Sequence, residues 1–151
     1  MPGSTFVYVT YIRTTPEELW HALTSAEVIE RYRFGMSVES DWRVGSRWRM
    51  FADGSLMDSG EILESVAGKR LVMTWLSEWE PEFKAEGHSR VTYEMEPTGA
   101  SVKVTLTHSM GRPESKFIGA VSEGWPMVLS NLKSLLETGD VAVVYHRRPP
   151  Q

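Results

Sequence analysis

The chain has 151 residues, a formal net charge of −4 and no cysteine. This length allows one domain with a substantial core, and the lack of cysteine excludes disulfides, thiolate nucleophiles and cysteine-based metal sites. The only basic run is His146-Arg147-Arg148, so we expect no nucleic-acid partner, which would need a concentrated positive face. The N-terminus lacks a secretory signal and no run of about 18 apolar residues occurs, so we expect a cytoplasmic protein that does not enter a membrane.

Large aromatic and thioether side chains are unusually frequent, with six tryptophans and eight methionines. Such side chains can fill a core, and they also line cavities that accept varied apolar ligands. The composition therefore leaves two interpretations open, a filled core and a ligand cavity.

The first predicted elements are a strand and two short helices. Residues 6–13 are rich in β-branched and aromatic residues, which is typical of a strand. Thr15, Pro16 and Glu18 then form a helix start, as N-cap, first helical residue and capping-box partner. This pattern predicts a short helix after Pro16 and, behind it, a second short helix over residues 26–32.

Strand and turn patterns follow up to about residue 109. The predicted strands are residues 37–41, 47–51, 56–66, 71–79, 89–96 and 102–108. Asp53-Gly54 predicts a hairpin turn, and Glu80-Pro81-Glu82 predicts a break in the chain. Together with the first segment, these patterns predict about seven strands, spaced for successive antiparallel hairpins.

A long amphipathic helix is predicted over residues 113–138. An advance of about 100° per residue places a set of apolar side chains on one face. These residues are Phe117, Ile118, Val121, Trp125, Val128, Leu129, Leu132, Leu135 and Leu136. Pro126 predicts a bend, and Gly139 is a typical C-cap. We expect the last three leucines of this face to anchor the core, and the segment around Trp125 to border any ligand space.

These elements, in the order β-α-α-β6-α, predict an α+β architecture with helices on one face of a curved antiparallel sheet. No repeat, low-complexity tract or linker divides the chain. Residues 1–139 should therefore form a single domain and residues 140–151 a C-terminal tail. Within the tail, residues 141–145 are suited to an extra strand or to a contact with a second copy.

Several short motifs are weak signals when taken singly, but their order and spacing along the chain are together specific for one family. They are Thr15-Pro16-Glu17-Glu18-Leu19-Trp20, Val44-Gly45-Ser46, Ser59-Gly60-Glu61-Ile62-Leu63-Glu64, Arg70-Leu71-Val72-Met73-Thr74-Trp75, Arg90-Val91-Thr92-Tyr93-Glu94-Met95-Glu96-Pro97, Leu106-Thr107-His108, Gly124-Trp125 and Leu132-Lys133-Ser134-Leu135-Leu136-Glu137. Through them, residues 6–138 resemble the START-like or SRPBCC (birch-pollen-allergen-like) superfamily, and within it the branch of heat-shock chaperone ATPase activators. The resemblance implies a helix-grip fold, in which the sheet wraps round the long C-terminal helix, and a cavity between them that commonly holds a hydrophobic small molecule.

The cavity that this resemblance implies would lie between the apolar face of the long helix and the inward face of the sheet. The predicted ligand-binding residues are Trp20, Phe34, Trp48, Met50, Met73, Trp75, Tyr93, His108 and Trp125. Polar tips of tryptophan, tyrosine and histidine inside an apolar cleft could orient a ligand. The alternative is that these side chains pack together without leaving space.

The polar residues show few catalytic or metal-binding patterns. The four histidines have no metal-binding spacing, so we predict no metal and no cofactor. His108 is the best candidate for a general acid or base, with a buried neutral histidine as the alternative. Asp53 and Asp58 are interpreted as solvated hairpin residues, and residues 86–88 as a charged turn or the entrance to a strand.

The resemblance leaves several functions open, because the superfamily includes carriers, aromatase/cyclase-type enzymes, toxicant-response proteins and chaperone co-activators. The leading hypothesis is non-catalytic binding of a small hydrophobic or aromatic molecule, in a stress or toxicant response. The alternatives are a co-activator-like module with a heat-shock chaperone as partner, and a polyketide cyclase or hydrolase that uses His108. The resemblance implies a monomer or a homodimer.

Overall fold

A computed structural model describes residues 3–144 of the chain. The elements are β1 (Ser4–Ile12), α1 (Pro16–Thr24), α2 (Ala26–Tyr32), β2 (Ser37–Ser40), β3 (Arg47–Ala52), β4 (Ser55–Val66), β5 (Arg70–Ser77), α3 (Pro81–Glu86), β6 (Ser89–Thr98), β7 (Ser101–Met110) and α4 (Lys116–Thr138). The basic run at residues 146–148 lies outside the described residues. So does residue 145, the last residue of the predicted 141–145 strand. Within residues 3–144, no helix is long and apolar enough to cross a membrane.

The seven strands form one sheet in the order β1-β7-β6-β5-β4-β3-β2, and every neighbouring pair is antiparallel. Strands β2 to β7 form a meander, and β1 pairs with β7 at its far edge, where Ser4 lies opposite Met110. The register shifts between Met50 and Phe51, and again in β4 after Ile62. Such irregularities increase local bending and twist. The predicted α+β fold, a seven-stranded antiparallel sheet with a long C-terminal helix, is confirmed.

The inward face of the sheet follows the alternation expected of strands. In β7, the buried side chains are those of Val102, Val104, Leu106, His108 and Met110. The residues between them are only half-buried. One face of the sheet therefore carries the core, and the helices cover that face.

Helix α4 has an N-terminus that is fixed by two side chains. The Ser115 hydroxyl accepts a hydrogen bond from the Ile118 N–H at 3.0 Å, as an N-cap does. The Glu86 carboxylate accepts from the Ser115 hydroxyl at 2.5 Å and from the Lys116 N–H at 3.0 Å. Glu86, which was interpreted as part of a charged turn, thus holds the start of α4 with a negative charge at the favourable end of the helix dipole.

The second half of α4 is anchored in the core. The helix continues through Pro126 and ends at Gly139, whose φ of 88° lies in the left-handed region, so the predicted C-cap is confirmed. Leu132 and Leu135 are buried, and Leu136 is half-buried.

The chain beyond Gly139 returns along α4. The Asn131 side chain donates from Nδ2 to the Val143 carbonyl at 2.8 Å and accepts from the Val143 N–H at 2.6 Å. Val141 packs against the core cluster. Residues 141–144 form no strand; a side-chain amide satisfies the backbone groups that a neighbouring strand would otherwise pair.

Helix α3 occupies the stretch where the sequence predicted only a break. Proline interrupts a strand but is favoured at the first position of a helix, and Pro81 takes that position here. The Glu80 carboxylate caps the helix by accepting from the Glu82 N–H at 3.4 Å. The helix places Phe83 against Phe117 of α4, with ring centroids 5.5 Å apart.

Candidate functional site

A cleft of about 320 Å³ opens between the sheet, α3 and the first half of α4. Five aromatic side chains line it: Trp75, Trp79, Phe83, Phe117 and Trp125. The rest of its apolar lining consists of Met36, Met50, Ala120, Val121, Gly124 and Val128. Its charged side chains are Arg33 and Asp58. Apolar walls with few polar groups are typical of small-molecule sites.

The residue sizes along α4 explain why the cleft opens at this place. Phe117, Val121 and Trp125 are spaced four residues apart and therefore share one face of the helix. Ala120 and Gly124 lie beside them on the cleft wall. A Cβ built on Gly124 would meet no atom within 4 Å. Two small residues thus leave open the volume that leucines fill further along the helix.

The back of the cleft is a cluster of aromatic rings. Trp75 lies 5.7 Å from Trp125 and 4.5 Å from Trp48, measured between ring centroids. Tyr93 meets Trp125 edge to face at 6.1 Å. Tilted and edge-to-face contacts of this kind are favourable. Because each ring is fixed by its neighbours, the wall of the cleft is preorganised.

His108 fixes Trp125 from behind. Its ring is 0% exposed, and Nδ1 accepts a hydrogen bond from the indole Nε1–H of Trp125 at 3.0 Å. The proton of the neutral ring must then be on Nε2, which donates to the Ser89 hydroxyl at 2.7 Å. Burial, with a smaller contribution from the Arg33 charge, lowers the pKa of His108 to about 3. His108 is therefore a neutral positioning residue.

Arg33 brings a positive charge to the cleft. Its guanidinium carbon lies 4.8 Å from the ring centroid of Trp125 and 5.4 Å from that of Trp75, within the range of cation–π attraction. Its Nη2 donates a long hydrogen bond of 3.5 Å to the Tyr93 hydroxyl. The side chain can take this position because α2 ends at Tyr32 and Phe34 follows with a left-handed φ of 57°.

Asp58 brings a carboxyl group to the same cleft, so its interpretation as a solvated hairpin residue is wrong. Its Oδ1 accepts from the Trp75 indole Nε1–H at 2.9 Å. Burial raises the pKa of Asp58 to about 6, against the opposing effects of the Trp75 hydrogen bond and the Arg33 charge. Asp53, by contrast, is exposed in the turn of the β3–β4 hairpin.

The structure distributes the predicted ligand-binding residues over several places. Met50, Trp75 and Trp125 line the cleft. Trp48, Met73 and Tyr93 lie on the other side of Trp75, around a void of about 30 Å³, which is room for about one water molecule. His108 is buried behind both spaces. Trp20 and Phe34 are half-buried against the core and line neither space.

Sequence reasoning missed several residues of the cleft. Phe117 and Val121 were placed on the buried face of the long helix but not assigned to the site. Phe83 was hidden because α3 was not predicted. Arg33 and Asp58 show no local pattern that indicates a site, since only the tertiary fold brings these opposite charges to the same aromatic wall.

A second concavity, of about 580 Å³, lies on the outer surface of β3, β4 and β5. Its lining is largely polar and includes Arg47, Arg49, Glu61, Glu78 and His88. The cleft beside Trp125 is the better candidate for a small-molecule site, because its aromatic walls exclude water from an apolar ligand. Among residues 3–144, no cluster of histidine and carboxylate side chains is suited to hold a metal ion.

An antiparallel sheet wrapped round a long C-terminal helix, with an apolar cleft between them, defines a START-like helix-grip domain. Residues 13–137 match the family described as "Activator of Hsp90 ATPase homolog 1-like protein", and the chain belongs to this family. The resemblance to the chaperone-activator branch is thereby confirmed. Among curated proteins, no sequence matches the chain.

Solved structures agree with this assignment. Protein MLL2253 from Mesorhizobium loti is 30% identical over 91% of this chain and 100% of its own, with a TM-score of 0.78. The Aha1 dimer from Colwellia psychrerythraea is 18% identical, covering 90% and 98% of the two chains, with a TM-score of 0.75. PFC0360w from Plasmodium falciparum, described as an HSP90 activator, is 24% identical, covering 89% and 97%, with a TM-score of 0.75. The latter two show the fold alone.

Proposed function

We propose that the protein binds a small apolar or aromatic molecule in the cleft beside Trp125 and does not transform it. The observation that carries this proposal is a space of about 320 Å³ with five aromatic side chains and two charged ones in its lining. Small-molecule pockets span about 300–1,000 Å³, so the cleft suits a ligand of modest size. Met50, Trp75 and Trp125 would contact that ligand directly, and Trp48, Met73 and Tyr93 would support the wall from behind.

A neutral aromatic probe, N-phenyl-1-naphthylamine, tests the proposal by its fluorescence increase and by quenching of the protein's tryptophans. The Gly124→Leu variant should lose probe binding, because Gly124 lines the cleft and the new side chain would occupy space that is open around it. Gly119→Leu is the matched control, since Gly119 lies on the exposed face of the same helix and its added Cβ also meets nothing within 4 Å. The proposal is wrong if the unmodified protein takes up no probe, or if Gly124→Leu binds it as well as the control.

The cyclase or hydrolase alternative has less support in the geometry. His108, its acid–base residue, has both ring nitrogens engaged. Burial also holds the pKa of His108 at about 3, far below the range in which a general base works best at neutral pH. We therefore do not propose catalysis by this residue.

A chaperone co-activator role is the second candidate, and the family match favours it. We infer that such a role would use the protein's surface and would not need the cleft. Adding the protein to an Hsp90-type ATPase from the same organism should then raise the ATPase rate, and Gly124→Leu should raise it equally. An unchanged ATPase rate would exclude this role without affecting the ligand-binding proposal.

The cellular location, biological role and oligomeric state of the protein are also matters of proposal. We propose a cytoplasmic protein acting in a stress or toxicant response, as a monomer or a homodimer. The Colwellia psychrerythraea structure is described as a dimer, which supports testing the oligomeric state by light scattering with and without the probe.

A further inference from the structure

The cleft contains a cation whose position is fixed on three sides. The Arg33 guanidinium lies over the rings of Trp75 and Trp125 and donates to the Tyr93 hydroxyl. Trp125 is held in turn by His108, and Trp75 by Asp58. A guanidinium keeps its charge at any pH at which the protein is folded. The aromatic wall therefore presents a permanent and preorganised positive charge.

Within the part of the chain that the structure describes, this guanidinium makes one hydrogen bond, which leaves its other donors to solvent or to a ligand. It has five N–H donors in a planar fork, and the bond to Tyr93 is long, at 3.5 Å. Among residues 3–144, no carboxylate forms an ion pair with Arg33 within 4 Å. An anion that approached the fork could accept two parallel hydrogen bonds.

The carboxyl group in the cleft offsets this charge only while it is ionised. One oxygen of Asp58 is engaged by the Trp75 indole. Burial also favours the neutral form of this carboxyl and raises its pKa to about 6. An anion bound at Arg33 would favour the protonated form further, so binding should be coupled to proton uptake by Asp58.

We propose that the natural ligand is a small aromatic or apolar acid, whose anionic group pairs with Arg33 while its apolar body lies against Trp125 and the phenylalanines of α3 and α4. This inference rests on the proposed function, because it specifies the ligand of the same cleft. The volume of about 320 Å³ limits the apolar body to a compact ring system or a short chain.

Three probes with the same apolar body distinguish the possible chemistries at pH 7.5: naphthalene-2-carboxylate, the neutral 2-naphthamide and 2-naphthylmethylammonium. We expect the carboxylate to bind about tenfold more tightly than the amide, which is the effect of a charge-assisted hydrogen-bonded pair. The ammonium probe should bind most weakly, because Arg33 repels it. Isothermal titration calorimetry measures all three affinities directly.

The Arg33→Gln variant tests the role of the guanidinium. It should abolish the preference for the carboxylate over the amide, so that the two probes bind with equal affinity. Arg43→Gln is the charge-matched control, because Arg43 is exposed and, within residues 3–144, its hydrogen bonds are those of its backbone with Ser46. This control should keep the full preference for the carboxylate.

The outcomes separate this inference from the proposed function. If the amide and the carboxylate bind equally and Gly124→Leu abolishes both, the cleft binds ligands but the assignment of an acid is wrong. If the ammonium probe binds best, Asp58 and the aromatic rings recognise a cation, and the assignment is also wrong. If no probe binds, both the assignment of an acid as the ligand and the proposed ligand-binding function are wrong.

The proton coupling provides an independent test, because few groups near Arg33 titrate between pH 5 and 8. Tyr32 and Tyr93 have pKa values raised mainly by burial, so both stay neutral. His108, with a pKa of about 3, stays neutral as well.

Glu78, which also acts on Asp58, has its pKa lowered by hydrogen bonds from Ser59 and Lys84 and stays ionised. Affinity for naphthalene-2-sulfonate, which remains an anion throughout, should therefore rise severalfold from pH 7.5 to pH 5.5. In Asp58→Asn the affinity should be independent of pH. An equal rise in both proteins would contradict the coupling to Asp58.

Discussion

The interior on the two sides of Trp75 is built from similar residues and yet differs tenfold in open volume. On the side of α2, tryptophan, methionine and tyrosine side chains enclose about 30 Å³. On the side of α4, a similar aromatic and methionine lining surrounds about 320 Å³. A high content of tryptophan and methionine therefore does not by itself produce a cavity in this protein.

The difference in open volume between the two sides of Trp75 depends on the helices that cover them. Helix α2 and its neighbour α1 cover the first space with large side chains, those of Leu23, Ile29 and Tyr32. Helix α4 presents Ala120 and Gly124 to the second space. The fold thus combines a close-packed region that supplies stability with an open region that is free to accept a ligand.

The largest expected effect is the loss of stability when a large side chain is removed from the filled side. Leu71, 1% exposed, lines the small void, and Leu71→Ala should lower the free energy of unfolding by about 2–5 kcal/mol. Val121→Ala, in the open side, should cost about 1 kcal/mol or less because it removes little packing. Urea denaturation measures both, and equal costs would contradict the contrast between the two sides.

A smaller loss should follow when the support behind Trp125 is removed. His108→Leu keeps a similar volume but leaves the Trp125 indole N–H buried without its partner, while the Ser89 hydroxyl keeps its hydrogen bond to the Trp75 carbonyl. The substitution should cost about 1–3 kcal/mol. It should also weaken probe binding, because the Trp125 ring loses its fixed orientation. His21→Leu, at an exposed position of α1, is the control and should change stability by less than about 0.5 kcal/mol. If probe affinity is unchanged in His108→Leu, His108 does not position the wall of the cleft.

The smallest expected effect concerns the pH dependence of stability. The pKa of Asp58 is raised from 3.8 to about 6 in the folded protein, so its contribution to stability is fully present below about pH 4 and is lost as the pH rises through 6. Asp58→Asn keeps an acceptor for the Trp75 indole and removes the charge. The stability difference between this variant and the unmodified protein should therefore favour the variant more at pH 8 than at pH 4, by about 1 kcal/mol. This is less than the full pKa shift would give, because Asp58 is only half-buried and solvent screens part of the effect.

His108 acts in the opposite direction in the same pH range. Its pKa is lowered from 6.5 to about 3, so its contribution is present above pH 6.5 and is lost as the pH falls towards 3. In the unmodified protein, the effects of Asp58 and His108 on the pH dependence of the free energy of unfolding partly offset each other. Asp58→Asn removes one of them, so the loss of stability in acid that is due to His108 should become visible. Thermal unfolding between pH 4 and pH 8 checks this, and parallel curves for the two proteins would show that Asp58 is not buried as described.

Periodicity in the sequence was sufficient to predict the sheet and α4. Alternation in β7 and the repeat on α4 depend only on which side of an element faces the core. The same reasoning placed Trp75 and Trp125 on inward faces, where they line the cleft. Helix α3 was missed because Pro81 was interpreted only as a break, although proline also starts helices.

The charged part of the site could not be predicted in this way. Arg33 follows a short helix, and Asp58 lies near a hairpin turn, which are positions where charged residues are usually solvated. Their inward placement depends on the left-handed turn at Phe34 and on the irregular pairing of β4. Whether inward-facing aromatic residues enclose a space also depends on the helix that covers them. The contribution of Gly124 to the cleft therefore could not be predicted from the sequence, because it depends on how α4 packs on the sheet.

The central claim, that a ligand occupies the space between Trp125 and α3, can be tested on the indole N–H signals of the tryptophans in a ¹⁵N-labelled sample. Titration with the neutral probe N-phenyl-1-naphthylamine should shift the signals of Trp75, Trp79 and Trp125, which line the cleft. The signal of Trp20, which lines neither space, should stay in place, and Gly124→Leu should suppress the shifts. Unchanged signals for Trp75 and Trp125 at saturating probe, or a shift confined to Trp20, would contradict the account.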